Sequence, residues 1–122
     1  MSKIGIRATQ ENGWAIQYIK IQTKDICLTA VKRSWIALYR VKKQTEELCL
    51  EAVKEYGSVL ECVREQTPEI CLAAVKQDGS ALCYVHNQTL EICLEAVRQD
   101  RIAIKYIQDP SMKQRVEREL NL

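Results

Sequence analysis

Six cysteines and two evenly spaced sets of bases are the residues of this chain with the most chemistry to offer. Six thiols are enough for three disulfides, and four are enough for a tetrahedral zinc site, either of which can hold a small fold together. The spacing speaks against both. Cys27, Cys49, Cys71 and Cys93 recur at one 22-residue interval, so in a regular stack they take equivalent places about 10 Å from one another. Zinc needs each sulfur within about 2.3 Å, and a disulfide needs Cβ atoms about 4 Å apart. These four therefore read as small apolar core residues. Cys62 and Cys83 stand at different offsets and read as unpaired. No metal and no cofactor is expected.

Acid–base and nucleophilic chemistry find little support. His86 is the one histidine, and there is no Gly-rich phosphate loop, no nucleophile elbow and no metal-binding His/Cys spacing. Active-site residues break a repeat pattern rather than follow it, and no cluster of chemically active residues interrupts the regular spacing of this chain. The chain is expected not to be an enzyme.

The bases are more informative. Lys32, Lys54, Lys76 and Arg98 share one offset, and Lys20, Lys42, Arg64 and His86 share another. Stacking turns each set into a column, a positive stripe able to follow a nucleic-acid backbone or an acidic peptide. The plainer account is that a base near a helix C-terminus offsets the helix dipole, and that Glu51–Lys54 and Glu95–Arg98 pair at i, i+3. A net charge of +2 is too small to demand a polyanionic partner. Tyr18, Tyr84 and Tyr106 share a further offset, with Tyr39 one place earlier. Such tyrosines either join the bases in a recognition surface or half-bury their rings and leave the hydroxyls wet. The candidate partner-binding residues are Lys32, Lys54, Lys76, Arg98, Lys42, Arg64, Tyr84 and Tyr106.

What must position these residues is a 22-residue repeat, opened by Gln22-Thr23, Gln44-Thr45, Gln66-Thr67 and Gln88-Thr89. A fixed period in the range of about 20 to 50 residues marks solenoids, propellers and arrays. In the first half of a repeat the apolar residues, such as Ile70, Cys71, Leu72, Ala74 and Val75, fill one wide arc at about 100° per residue, which predicts a short, largely buried helix. In the second half Ala81, Leu82 and Val85 follow i, i+1, i+4 and predict a second, shorter helix. A leucine-rich repeat or a β-helix would need strand patterning that is absent.

The ends of the first helix are marked. Each repeated Thr stands where an N-cap belongs, Asp25, Glu47, Glu69 and Glu91 put negative charge at the positive end, and Pro68 takes the first helical position. Gly13, Gly57 and Gly79 are expected to end the helix in a left-handed conformation. Trp35 and Arg101 occupy that place elsewhere, so those two turns are expected to be built differently. Counting back from Ile26 and Ala30 reaches Ile4 and Ala8, a degraded first repeat. Met112, Val116 and Leu120 form a single apolar stripe on a charged segment, as a terminal cap requires.

The runs from Gln66 to Gly79 and from Gln88 to Asp100, with Leu82-Cys83-Tyr84-Val85, resemble the repeat of the domain-of-unknown-function 4116 family. The resemblance covers nearly all of residues 22–109, is weaker over 1–21 and does not extend into the cap. It implies tandem repeats, with no assigned activity and no catalytic residues to carry over.

These readings converge on an all-α chain: an α-solenoid, its handedness open, of five 22-residue two-helix repeats (1–21, 22–43, 44–65, 66–87 and 88–109) plus a C-terminal capping helix over 110–122. Residues 1–122 make one repeat domain. Helices this short stand only by stacking on neighbours, so replacing Ala52 or Ala74 by Leu is expected to overpack the contact and lower the melting temperature. The expected role is a non-catalytic scaffold that binds a protein partner. The alternatives are nucleic-acid binding along the basic columns and a fragment of a longer array without its own activity. With no apolar run for a membrane span and no signal-peptide pattern, the expected location is cytoplasmic. No small-molecule substrate is expected.

Overall fold

The computed structural model describes residues 9, 10 and 12–122, with Trp14 by its backbone alone. Ile4 and Ala8 lie outside the described residues. Among those residues every element is helical. The α-helices α1 (Lys24–Arg33), α2 (Glu46–Glu55), α3 (Pro68–Gln77) and α4 (Leu90–Gln99) start at the same place in successive repeats, and α5 (Pro110–Glu119) starts slightly earlier in its own. Short 3-10 helices alternate with them: η1 (Gly13–Tyr18), η2 (Trp35–Arg40), η3 (Gly57–Cys62), η4 (Gly79–Tyr84) and η5 (Arg101–Tyr106).

The α-helices begin where their capping residues stand. The hydroxyls of Thr23, Thr45, Thr67 and Thr89 accept from the N–H groups of Ile26, Leu48, Ile70 and Ile92 at 3.1–3.3 Å. Asp25, Glu47, Glu69 and Glu91 lie in the first turns, and Pro68 opens α3. One face of each helix then enters the core, as Ile70, Cys71, Ala74 and Val75 do in α3. The shorter second element is a 3-10 helix, not an α-helix. So short a segment cannot offset the cost of α-helix nucleation, and the tighter 3-10 turn sets Leu82 directly over Val85. Both are buried, and the Val85 N–H donates to the Leu82 carbonyl at 3.1 Å.

The turn between the two elements differs from expectation. No described glycine has positive φ, so none ends a helix in the left-handed conformation. The helix ends instead in an extended residue, and the turns before Trp35 and Arg101 match the others: Ser34 at φ −155°, ψ 113°, Tyr56 at −140°, 108°, Asp78 at −150°, 109°, and Asp100 at −148°, 109°. What the glycines supply is closeness. A Cβ on Gly57 would stand 2.6 Å from the carbonyl oxygen of Ala74, and one on Gly13 2.6 Å from that of Ala30. Gly79 lies closer still to Ala96. The glycine is therefore required by the next α-helix, one repeat along, whose last turn rests on it.

Where the glycine is missing, the spacing between neighbours changes. Helices η1, η3 and η4 each press against the following α-helix, whereas η2, which starts with Trp35, and η5, which starts with Arg101, make no comparable approach. The contact of α1 with α2 is correspondingly less extensive than that of α2 with α3 or of α3 with α4. The α5 helix lies against α4, with Val116 fully buried and Met112 and Leu120 packed on the core.

A side-chain ladder joins neighbouring repeats along the loops. The Gln44 Nε2 donates to the carbonyls of Leu38 at 2.9 Å and Cys62 at 2.8 Å, while its Oε1 accepts from the Arg64 N–H at 2.9 Å. Gln66 bridges Leu60, Tyr84 and His86 in the same way, and Gln88 bridges Leu82, Tyr106 and Gln108. Gln22 accepts from the Lys42 N–H at 2.8 Å and donates to Ile16. Each amide thus satisfies main-chain groups that the 3-10 helices and their exits leave open, which keeps a loop-rich edge from carrying unpaired polar atoms. The next position of the ladder holds Pro110, which has no side-chain donor or acceptor.

Candidate functional site

The α-helices present one exposed face, on which two residue columns run side by side. Leu28, Leu50 and Leu72 are half-buried, and Leu94 is buried. Beside them Lys32, Lys54, Lys76 and Arg98 are exposed. Arg98 reaches Glu95 at 4.0 Å, as the i, i+3 spacing predicts. Glu51 does not pair with Lys54. It is drawn to Lys24, whose Nζ lies 3.1 Å from Glu51 and 2.6 Å from Glu47. The hydrogen bonds it donates to Glu47 and Glu51 raise the Lys24 pKa. Lys32, Lys54 and Lys76 form no ion pair with a described residue.

The second basic column does different work. Lys42 Nζ donates to the Lys20 carbonyl at 3.3 Å, and Arg64 Nη2 donates to the Val41 carbonyl at 2.8 Å. These bases are held against main-chain oxygens of the preceding loop, so Lys42 and Arg64 are not grouped with the α-helix column. The tyrosines divide as well. Tyr84 and Tyr106 half-bury their rings against the core, and Lys105 stands 5.2 Å from the centre of the Tyr106 ring. Tyr18 and Tyr39 are exposed, with the Tyr39 hydroxyl donating to the Glu61 carbonyl at 3.3 Å. The eight candidate residues therefore form no single patch.

Two depressions lie along the α-helix face. One, of about 240 Å³, sits between α1 and α2 and has Leu28, Val31 and Ala52 as its apolar lining, with Lys32 and Lys54 at its edge. Val31 and Ala52 are otherwise core residues, only 3% exposed. The other, of about 570 Å³, lies between α2 and α3 over Leu50, Leu72 and Ala73, with Lys54 and Lys76 at its edge. Lys54 belongs to both.

The thiols are not poised for reaction. Cys27, Cys49, Cys62, Cys71 and Cys93 are buried, Cys83 is exposed, and all six are free. Burial pushes the Cys62 and Cys93 thiols up to about 11 and raises the others, the opposite of what a nucleophilic cysteine needs. Among the described residues no group of His, Cys, Asp and Glu is arranged to hold a metal ion, and no buried side-chain nitrogen or oxygen lacks a partner. No described helix is long and apolar enough to cross a membrane.

Two structural determinants are not evident from sequence reasoning. The repeated Gln serves there only as a marker of the period, although a polar residue recurring in every repeat beside apolar ones already signals a structural bond. The less extensive contact of α1 with α2 accompanies Trp35, whose departure from the glycine pattern is visible in sequence but whose counterpart across the interface stands in the next repeat.

No curated protein and no solved structure matches the chain. The family model described as "Domain of unknown function (DUF4116)" matches residues 45–90 and again, overlapping, residues 67–113. Two offset matches of one model are what a tandem repeat produces. Together they span more than half of the chain, from α2 to the first turn of α5, and the chain belongs to this family of unknown function.

Proposed function

We propose that this chain is a non-catalytic protein-interaction module, an α-solenoid of five 22-residue units ended by α5 as a cap. The solenoid reading is supported by the contacts of each element, which run to its own neighbours and to the corresponding element one repeat along. The interaction reading rests on one observation: two depressions with apolar floors lie in line on the α-helix face and share Lys54. Grooves with apolar floors and polar edges on a surface of packed helices are the kind of feature through which repeat proteins engage partners. Buried free thiols support a reducing, cytoplasmic setting.

Nucleic-acid binding is the outcome to be tested against it. Only the column of Lys32, Lys54 and Lys76 remains for that role, since Lys42 and Arg64 hold main-chain carbonyls. An affinity pull-down from a lysate, with and without nuclease, compares the wild type with Lys54→Glu/Lys76→Glu. A protein retained after nuclease and lost in the variant is the expected result. Retention that disappears with nuclease, and that falls steeply with salt, would replace the protein partner by a polyanion.

A further inference from the structure

We infer that the chain associates head to tail with a second copy of itself through the two ends of its 3-10 row, a surface apart from the depressions of the α-helix face and independent of the reading built on them. Along the row, η1 to η5 pack each on the next, and equivalent positions show which side of an element each neighbour covers. Leu38, Leu60 and Leu82, each followed by a further 3-10 helix, are fully buried, as is Ile16 in η1. Their equivalent in η5, Ile104, is only half-buried. Ala37, Val59, Ala81 and Ala103, each preceded by a 3-10 helix, are fully buried, whereas Ala15 in η1 is half-buried. Ile19 is half-buried too, while Val41, Val63, Val85 and Ile107 in its place are buried. Thus η1 leaves open the side that a preceding 3-10 helix covers, and η5 the side that a following one covers. The exposed residues at the two ends agree. Tyr18 in η1 is 82% exposed, where Cys62 is buried and Tyr84 half-buried, and Ile102 in η5 is 63% exposed, against 36% for Ile36, which η3 follows.

What covers such a face is shown inside the molecule, at the junctions of η1 with η2, η2 with η3, η3 with η4 and η4 with η5. In each, the outward side of one element meets the inward side of the next, so the open side of η5 matches the open side of η1 in a second copy. Charge sets the direction. Arg101 and Lys105 of η5 are both exposed, and η1 carries no charged residue. Head-to-tail pairing lays these bases against an uncharged element, whereas a tail-to-tail pair would set them against their own copies. The α-helix row takes no part, because α5 packs there against α4. Pro110 stands where a ladder amide would bridge the junction, which leaves it to apolar contact and makes it weaker than those within the chain. So small a contact belongs to the weak, transient class. Two different surfaces form a heterologous contact, which goes on adding copies unless a ring closes.

The test is sedimentation velocity of the full chain over a hundredfold range of concentration. The weight-average mass is expected to rise past that of a dimer as concentration rises. Tyr18→Glu and Ile102→Glu each place a charge in the junction at an exposed residue outside the core, where burial of an unpaired carboxylate is unfavourable. Each variant alone should stay monomeric, with its melting temperature recorded to confirm the fold. An equimolar mixture of the two should form a dimer that grows no further, because only one intact η1 end and one intact η5 end remain to meet. A wild type that is monomeric throughout would overturn the inference. So would association that persists in either variant alone, since a tail-to-tail pair ignores Tyr18→Glu and any other surface ignores both. The lysate experiment reads Lys54 and Lys76 on the α-helix face, so either proposal can fail without the other.

Discussion

The interface between α2 and α3 and the interface between α1 and α2 are built from nearly the same sequence and pack differently. In the first, Gly57 lets the last turn of α3 settle on η3, so that the Ala74 carbonyl occupies the space a Cβ would need. In the second, Trp35 stands at the equivalent position, and the helices leave a groove of about 240 Å³ over Val31 and Ala52. The turn backbone is the same in both, with Ser34 and Tyr56 extended alike. The extent of packing between neighbouring repeats therefore varies with the residue at this position while the turn backbone stays the same. Close-packed interiors respond in this way, since a Cβ without room must move a whole neighbouring element.

The largest expected effect comes from breaking the tight interface. Gly57→Ala and Gly79→Ala each place a methyl group against a main-chain carbonyl that cannot swing aside, and each should destabilise the fold by about 3 kcal/mol in urea unfolding. If both variants unfold at the wild-type urea midpoint, the close approach is not what these glycines serve.

Removing a ladder amide should cost somewhat less. Gln66→Ala leaves the Leu60 and Tyr84 carbonyls and the His86 N–H without their side-chain partner, and a loss of about 2 kcal/mol follows from unpaired, partly buried main-chain groups. Native-state hydrogen exchange should show the His86 amide losing protection in particular.

The pair Ala74→Leu and Ala52→Leu sharpens the comparison directly. Sequence reasoning treats the two alanines as equivalent, but Ala74 lies in the tight interface and Ala52 faces the groove. Ala74→Leu should lower stability by about 2 kcal/mol, and Ala52→Leu by less than about 1 kcal/mol. Equal melting temperatures for the two variants would remove the distinction between the interfaces.

A pH dependence follows from the buried thiols. Cys62 and Cys93 rise from an ordinary value near 9 to about 11 on burial. A group whose pKa is raised on folding contributes stability below its unfolded pKa and loses it as pH rises toward the folded one. Stability should therefore decline between pH 9 and pH 11. At pH 8 a thiol reagent should modify Cys83 quickly and the five buried cysteines only on unfolding.

Much of the local structure is legible in the residues alone. The Thr caps, the first-turn acids, Pro68 and the apolar arcs each act within about one helical turn, so their effect depends on neighbours in the chain. The candidate site is less legible. Arg64 and Lys42 recur at the same period as Lys54, in a second column that the sequence offers equally as a binding stripe, yet they bond to carbonyls of the preceding loop, while Lys54 borders two depressions. By spacing Glu51 is a partner for Lys54, but it turns instead to Lys24 on the preceding α-helix.

The sequence by itself determined the period, the helical class and the starting point of each α-helix, because these follow from residue types at short range. Only the tertiary structure decided what Gly57 is for, how the recurring Gln joins one repeat to the next, and which neighbouring α-helices pack less extensively. Those outcomes depend on atoms about one repeat apart meeting across an interface, where the presence or absence of one Cβ goes with a closer or a less extensive contact between neighbouring helices.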